Sequence, residues 1–419
     1  VAAAVLAAAG VINPDFLRGT MLAGELSLNG EIHSVQGILP MVIKAREEKC
    51  RFCMVPAGNL QEALLVPDIK VIGVSNLKEM IRYLREPDTY RYPESRPAEN
   101  VPDFRDIRGQ KSLRRAVEIA VSGFHNLLMI GPPGAGKTMT AKRIPGIMPL
   151  LSYGESLELT KIYSIAGLLS EKDPLIRSRP FRSPHHTSTA AALAGGGRNP
   201  KPGEITLAHR GVLFLDEMPE FSRRSLEILR QPLEDRVIRI SRVNGSFVFP
   251  ADFMLCAAMN PCPCGYYPDM DKCRCTSGQI TGYLNKISQP LLDRLDLCAE
   301  AEQVDFSEMS SREWGESSAD VRKRVEKVQE IQKDRYRSEK IQFNGELKGE
   351  QIERFCRLDS GGQAFLQATF EHMAFSPRAY HRILKVARTI ADMDGTSEIR
   401  KDHVGEAVSY RAFDKKYWT

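Results

Sequence analysis

The sequence has no apolar run long enough to cross a bilayer. The opening one, Val1 to Ile12, is too short and carries no basic flank, which excludes a membrane helix and a readable signal peptide. An initiating methionine is missing, so Val1 is expected to lie inside a longer natural sequence. Strong charge bias is absent too: 58 Lys and Arg against 53 Asp and Glu leave a formal net charge of +5. That balance permits a nucleic-acid partner without arguing for one, so the placement of charge along the chain matters more. Cys50 and Cys53 lack a second C-x-x-C nearby, which leaves them as two small residues in a half-buried strand. What remains is ordinary: 419 residues, 42% hydrophobic and 26% charged, enough for two or three soluble domains with real cores.

One stretch stands out against that background. Gly131-Pro132-Pro133-Gly134-Ala135-Gly136-Lys137-Thr138 fits G-x-x-x-x-G-K-[ST] at every fixed position. It follows an apolar run, Asn126 to Ile130, that reads as a buried strand, and a helix is expected to start at Met139. Glycines let backbone N–H groups turn inward, the helix N-terminus adds partial positive charge, and Lys137 reaches the β- and γ-phosphates. The Thr138 hydroxyl is the expected Mg²⁺ ligand. Residues 131–139 are therefore expected to cradle ATP. Nine cysteines beside such a loop point to a reducing cytoplasm, where clustered thiols bind metal more often than they pair.

Val212-Leu213-Phe214-Leu215-Asp216-Glu217 supplies the partner motif. Four apolar residues make a central parallel strand, and the acids emerge at its carboxyl end, where α/β sheets bind ligands. Asp216 would hold Mg²⁺ through water and Glu217 would polarise the attacking water. Leu255 to Met259 reads as another buried strand, ending in Asn260, which is placed to orient the same water.

These motifs resemble the ring-forming ATPases of the AAA+ class, an α/β fold with a phosphate-loop core and a helical lid. The resemblance implies base-pocket roles for Ile107 and Gly109, in Asp106-Ile107-Arg108-Gly109-Gln110. Arg294, in Pro290-Leu291-Leu292-Asp293-Arg294-Leu295-Asp296, matches the arginine finger of magnesium-chelatase-like rings. Arg378, in Ser376-Pro377-Arg378-Ala379, matches the lid arginine known as sensor 2. A surface ion pair is the alternative for either. A finger acting on a neighbour's γ-phosphate requires an oligomer, hence the expected ring, a hexamer.

Three features lie outside the ATP motifs. Residues 237–250 alternate in strand fashion about Asn244-Gly245, a strong hairpin signal, with Arg236, Arg239 and Arg242 on or beside it. Magnesium-chelatase-like and replicative rings carry a pore hairpin at this place; an exposed hairpin with solvated arginines is the alternative. From Pro174 to Lys201 there are five basic residues, Arg177, Arg179, Arg182, Arg198 and Lys201, with His185-His186 and no acid. Such a stretch suits phosphate-backbone contact, or a loop serving the neighbouring subunit. Cys262, Cys264, Cys273 and Cys275 form C-x-C-x8-C-x-C in a bent loop, a set suited to structural zinc; unligated reduced cysteines are the alternative.

At the front, Gly24-Glu25-Leu26-Ser27-Leu28-Asn29-Gly30 and Val55-Pro56-Ala57 resemble the proteolytic domain of Lon-type proteases, an α+β fold. That family's Ser/Lys dyad has no counterpart: its lysine should fall at Leu39 to Met41, and its serine segment would precede Val1. A working peptidase is not expected. The expected order is a partial Lon-like domain (1–86), a proline-rich linker (87–102), an ATPase core (103–303), a helical connector (304–345) and a helical lid (346–419). In the connector, Val321 to Lys340 carries eight basic and four acidic residues around a stripe of Val321, Val325, Val328 and Ile331.

Taken together the chain resembles the ComM/YifB family, most specifically through Arg179-Pro180-Phe181-Arg182-Ser183-Pro184-His185-His186, Pro202-Gly203-Glu204-Ile205 and the Cys-Pro-Cys-Gly loop. The resemblance implies a hexameric ATP-driven DNA helicase promoting branch migration, acting on single-stranded or branched DNA with no membrane partner. Two readings compete with it: an ATPase chaperone for metal insertion of the magnesium-chelatase type, and the regulatory ATPase of a protease-like assembly.

Overall fold

The computed structural model describes residues 1–85, 102–170, 174–197, 200–242, 245–303, 315–373 and 375–418. The expected linker and the connector's first eleven residues, 304–314, fall outside these, as does Arg198. The chain divides into two units: Val1–Glu99 with Leu151–Ser178, and Asn100–Leu150 with Arg179–Thr419.

The second unit is built on runs with no polar side. Five strands, β1 (Leu127–Ile130), β2 (Phe181–Arg182), β3 (Val212–Leu215), β4 (Met254–Met259) and β5 (Leu297–Glu300), pair in parallel in the order β5-β1-β4-β3-β2. Alternate residues feed opposite cores. Leu127, Met129, Val212, Phe214 and Cys256 join one cluster; Leu128, Ile130, Leu213, Leu215 and Leu255 join the other. A parallel sheet covered on both faces needs such unbroken apolar strands. Its order also puts β4 between β1 and β3, so the residue that ends β4 lies between the two phosphate-site motifs. The lid follows as the helices Ser360–Met373, Pro377–Met393 and Lys401–Trp418. Among the described residues no helix is long and apolar enough to cross a membrane.

In the first unit, Thr20–Leu22, Phe52–Pro56 and Lys70–Val74 form a parallel three-stranded sheet, and Ile38–Glu47 is helical. The helix Tyr153–Ala166 belongs here rather than with the ATPase core that encloses it in sequence, which departs from the sequence division. Ser152 caps it in a reciprocal box with Glu155, and Gly167 ends it in the left-handed conformation. The buried Glu62 carboxylate accepts hydrogen bonds from Leu39 N (2.9 Å), the Ser164 hydroxyl and Asn59 Nδ2 (3.2 Å), so one charged group ties three segments together. Cys53 is buried in its strand, and burial pushes its thiol up to about 12.

Two further readings meet the structure here. The hairpin pairs Arg242 with Gly245, and Val243-Asn244 lie outside the described residues. On the helix Ser318–Arg335, Val321, Val325 and Val328 are buried, but the buried position that follows them is Gln332, not Ile331. Gln332 reaches both Ser122 O (3.0 Å) and Asn344 N (2.9 Å), so its amide is satisfied and an apolar residue is not needed there.

Candidate nucleotide and metal sites

The phosphate loop follows β1, and its glycines are dictated by backbone shape. Gly134 and Gly136 sit at φ +78° and +81°, in the left-handed region, and Gly136 caps the helix Lys137–Ala141. A methyl group at Gly131 would lie 2.2 Å from Ala301 O, so β1 and the strand beside it close onto a bare backbone. Lys137 Nζ donates to Gly131 O (2.6 Å), Pro132 O (2.9 Å) and Asn260 Oδ1 (3.1 Å). Burial draws its ammonium down to about 8, against the pull of the Asp216 and Glu217 carboxylates. Thr138 Oγ1 donates to Asp216 Oδ2 (2.6 Å). Two hard oxygen donors therefore meet here, and the residues present fit Mg²⁺. When bound, the ion would neutralise phosphate charge, held by Thr138 and Asp216.

Glu217, two residues past β3, caps the short turn Met218–Glu220 in the left-handed conformation (φ +50°), its own N–H bonded to Asp216 Oδ1 (3.0 Å). Its carboxylate lies 3.5 Å from His186 Nδ1. His186 and His185 stack with ring centroids 4.1 Å apart. The histidine pair thus lies beside Glu217, a link that no sequence spacing announces. Ile107 is fully buried and Gly109 has φ +61°. The next residue, Gln110, is the one that touches the phosphate loop, through Nε2 to Ala135 O (3.3 Å). Sequence reading passed it over, because a polar residue ahead of a helix is unremarkable.

The two arginines open elsewhere. Arg294 pairs with Glu234 and donates to Pro290 O (2.6 Å); Arg378 pairs with Asp293 at 3.0 Å. Both line a cleft of about 680 Å³, together with Arg236, Arg382 and Lys385. None of residues 131–139, Asp216, Glu217 or Asn260 lines it. Asn126 fixes this wall to the sheet: its Nδ2 donates to Arg294 O (2.9 Å) and its Oδ1 accepts from Leu255 N (2.9 Å). Beneath it, burial pushes the Asp296 carboxyl up, but Lys385 at 3.1 Å, His125 and the Asn126 N–H together hold it well below the usual carboxylate range.

Of the candidate DNA-binding residues, Arg239 is exposed on the hairpin face opposite the buried Ile238 and Ile240. The side chain of Arg242 lies outside the described residues. Arg182 makes a bidentate pair with Glu204 (2.7 and 2.8 Å), so much of its charge is answered within the chain. Arg236, beside the hairpin, is a structural anchor, bonded to Phe253 O (3.0 Å) and 3.4 Å from Asp252. The basic helix 318–335 is likewise packed: Arg324 pairs with Glu118 and Glu316, and Arg322 donates to Gly146 O.

The sulfurs of Cys262, Cys264, Cys273 and Cys275 all lie within 4.8 Å of one another, a group able to hold a metal ion. Backbone N–H groups, that of Tyr266 foremost, hold the Cys264 thiol down at about 6. The Cys262 sulfur accepts from Gly265 N (3.2 Å) and Tyr267 N (3.4 Å).

Residues 103–309 match the family model described as magnesium chelatase, subunit ChlI, and 315–411 its C-terminal model. Residues 1–59 match a model described as subunit ChlI of Mg-chelatase. The chain is 41% identical over 422 residues to "Competence protein ComM" of Haemophilus influenzae, covering 98% of this chain and 81% of that protein. It is 41% identical over 421 residues to "Uncharacterized protein YifB" of Escherichia coli, covering 99% and 81%. "Lon protease 2" of Bacillus subtilis is 30% identical over 143 residues, 32% of this chain and 26% of that protein.

Proposed function

The chain belongs to the ComM/YifB family of magnesium-chelatase-like AAA+ ATPases, and from that premise we propose that it is a ring-forming DNA motor. ATP binds at residues 131–139 and Mg²⁺ at Thr138 and Asp216. Glu217 polarises the attacking water, and Asn260 orients it. Arg294 and Arg378 serve the γ-phosphate held by the neighbouring subunit, where a guanidinium stabilises charge developing in the transition state. One observation carries the ring: both arginines face a cleft that shares no residue with their own phosphate cradle. The hairpin 237–250, with Arg239 exposed, contacts the backbone of single-stranded or branched DNA, and hydrolysis drives branch migration. The four-cysteine loop takes a structural zinc, since four thiolates form a closed tetrahedral set with no open position.

The magnesium-chelatase models matched over most of the chain support a second reading, an ATPase chaperone for metal insertion. One assay separates the two. Hydrolysis is measured without DNA, with single-stranded DNA and with forked DNA, across a salt series. A motor is stimulated by DNA, and the stimulation weakens steeply as salt rises; an assembled, ATP-loaded ring that binds no DNA at low salt overturns the motor.

A further inference from the structure

The cysteine loop touches the phosphate loop on two sides. Two residues before the first cysteine, Asn260 takes a hydrogen bond from Lys137 Nζ (3.1 Å). Three residues after it, Gly265 lies on the ring of Pro133, third residue of the phosphate loop. A methyl group at Gly265 would sit 2.5 Å from Pro133 Cδ and 2.9 Å from Cγ, and Gly265 has φ +88°. The turn that brings it there is organised by a thiol, because Gly265 N donates to Cys262 Sγ (3.2 Å) and Tyr267 N to the same sulfur (3.4 Å). The sulfur separations of 3.3, 3.7 and 3.5 Å among Cys262, Cys264 and Cys273 approach the about 3.8 Å expected of thiolates on a tetrahedral zinc.

We propose that metal at Cys262, Cys264, Cys273 and Cys275 sets the protein's affinity for nucleotide, by holding Gly265 against Pro133 and Asn260 against Lys137. The proposal rests on the zinc reading above and adds a consequence to it. With the metal bound, Cys262 is fixed, its two N–H donors are fixed with it, and the cradle is shaped before ATP arrives. Without the metal the loop is free to move off Pro133, and ATP must then bear the cost of ordering it.

The test uses the full chain purified without chelator. Metal content is read by mass spectrometry, and zinc release is followed on titration with an organomercurial. A fluorescent ATP analogue with Mg²⁺ is then titrated into loaded and metal-stripped protein, with circular dichroism as a check on the fold. The expected result is one zinc per chain and at least a tenfold loss of nucleotide affinity on stripping, reversed by zinc. Gly265→Ala is expected to keep its zinc and lose affinity comparably, which decides the matter even where stripped protein unfolds. A chain that neither carries nor takes up zinc overturns the zinc reading and this inference together. Zinc bound at one per chain, with nucleotide affinity within twofold of wild type in Gly265→Ala, overturns the inference alone.

Discussion

At the scale of single residues the account turns on Lys137 and Glu217. Lys137 must be charged to bind phosphate, and burial draws its ammonium down to about 8. Bound phosphate raises that value, so affinity is full below pH 8 and falls above it, by up to about tenfold per pH unit until the bound-state pKa is reached. Titrating the fluorescent analogue from pH 7 to 9.5 checks this; a flat profile contradicts the burial argument. Glu217→Gln is expected to lower single-turnover hydrolysis by about 10²-fold or more while ATP stays bound. His186 touches the same carboxylate, and His186→Ala is expected to raise hydrolysis measured without DNA, because Glu217 loses a restraint; an unchanged basal rate removes that role. Lys137 and Glu217 were readable in the sequence because their motifs are contiguous and each position follows from local backbone shape. The His186 contact was not, since it depends on β2 pairing beside β3, which no local pattern states.

Elements were legible where burial is two-sided and obscure where it is not. The apolar runs at 127–130, 212–215 and 254–259 read directly as strands, because a sheet covered on both faces tolerates little else. The helix Tyr153–Ala166 groups with the first unit although it lies inside the core in sequence, since its capping box specifies a helix but says nothing of its partner; the buried Glu62 supplies one. The hairpin itself was legible, because strand-like alternation on both sides of Asn-Gly pairs Val237–Arg242 with Gly245–Pro250. The hairpin carries its own prediction. Arg239→Ala is expected to weaken DNA stimulation and flatten its salt dependence while leaving DNA-free hydrolysis near wild type; equal DNA stimulation in variant and wild type would remove the hairpin from the DNA path.

For the whole molecule, the claim is that each ATP site is finished by a second copy of the chain. Arg294 and Arg378 already stand together on a wall tied to β1 through Asn126, paired with Glu234 and Asp293. Sequence motifs gave their identity; only the folded cleft gave their distance in role from the cradle of their own chain. Arg294→Ala is accordingly expected to cost about 10³-fold or more in hydrolysis with nucleotide binding retained. The most direct measurement mixes two inactive variants, Lys137→Ala and Arg294→Ala, and follows ATP hydrolysis. The account predicts recovered turnover, because some interfaces then pair an intact cradle with an intact arginine; a mixture as inactive as either variant alone would contradict it.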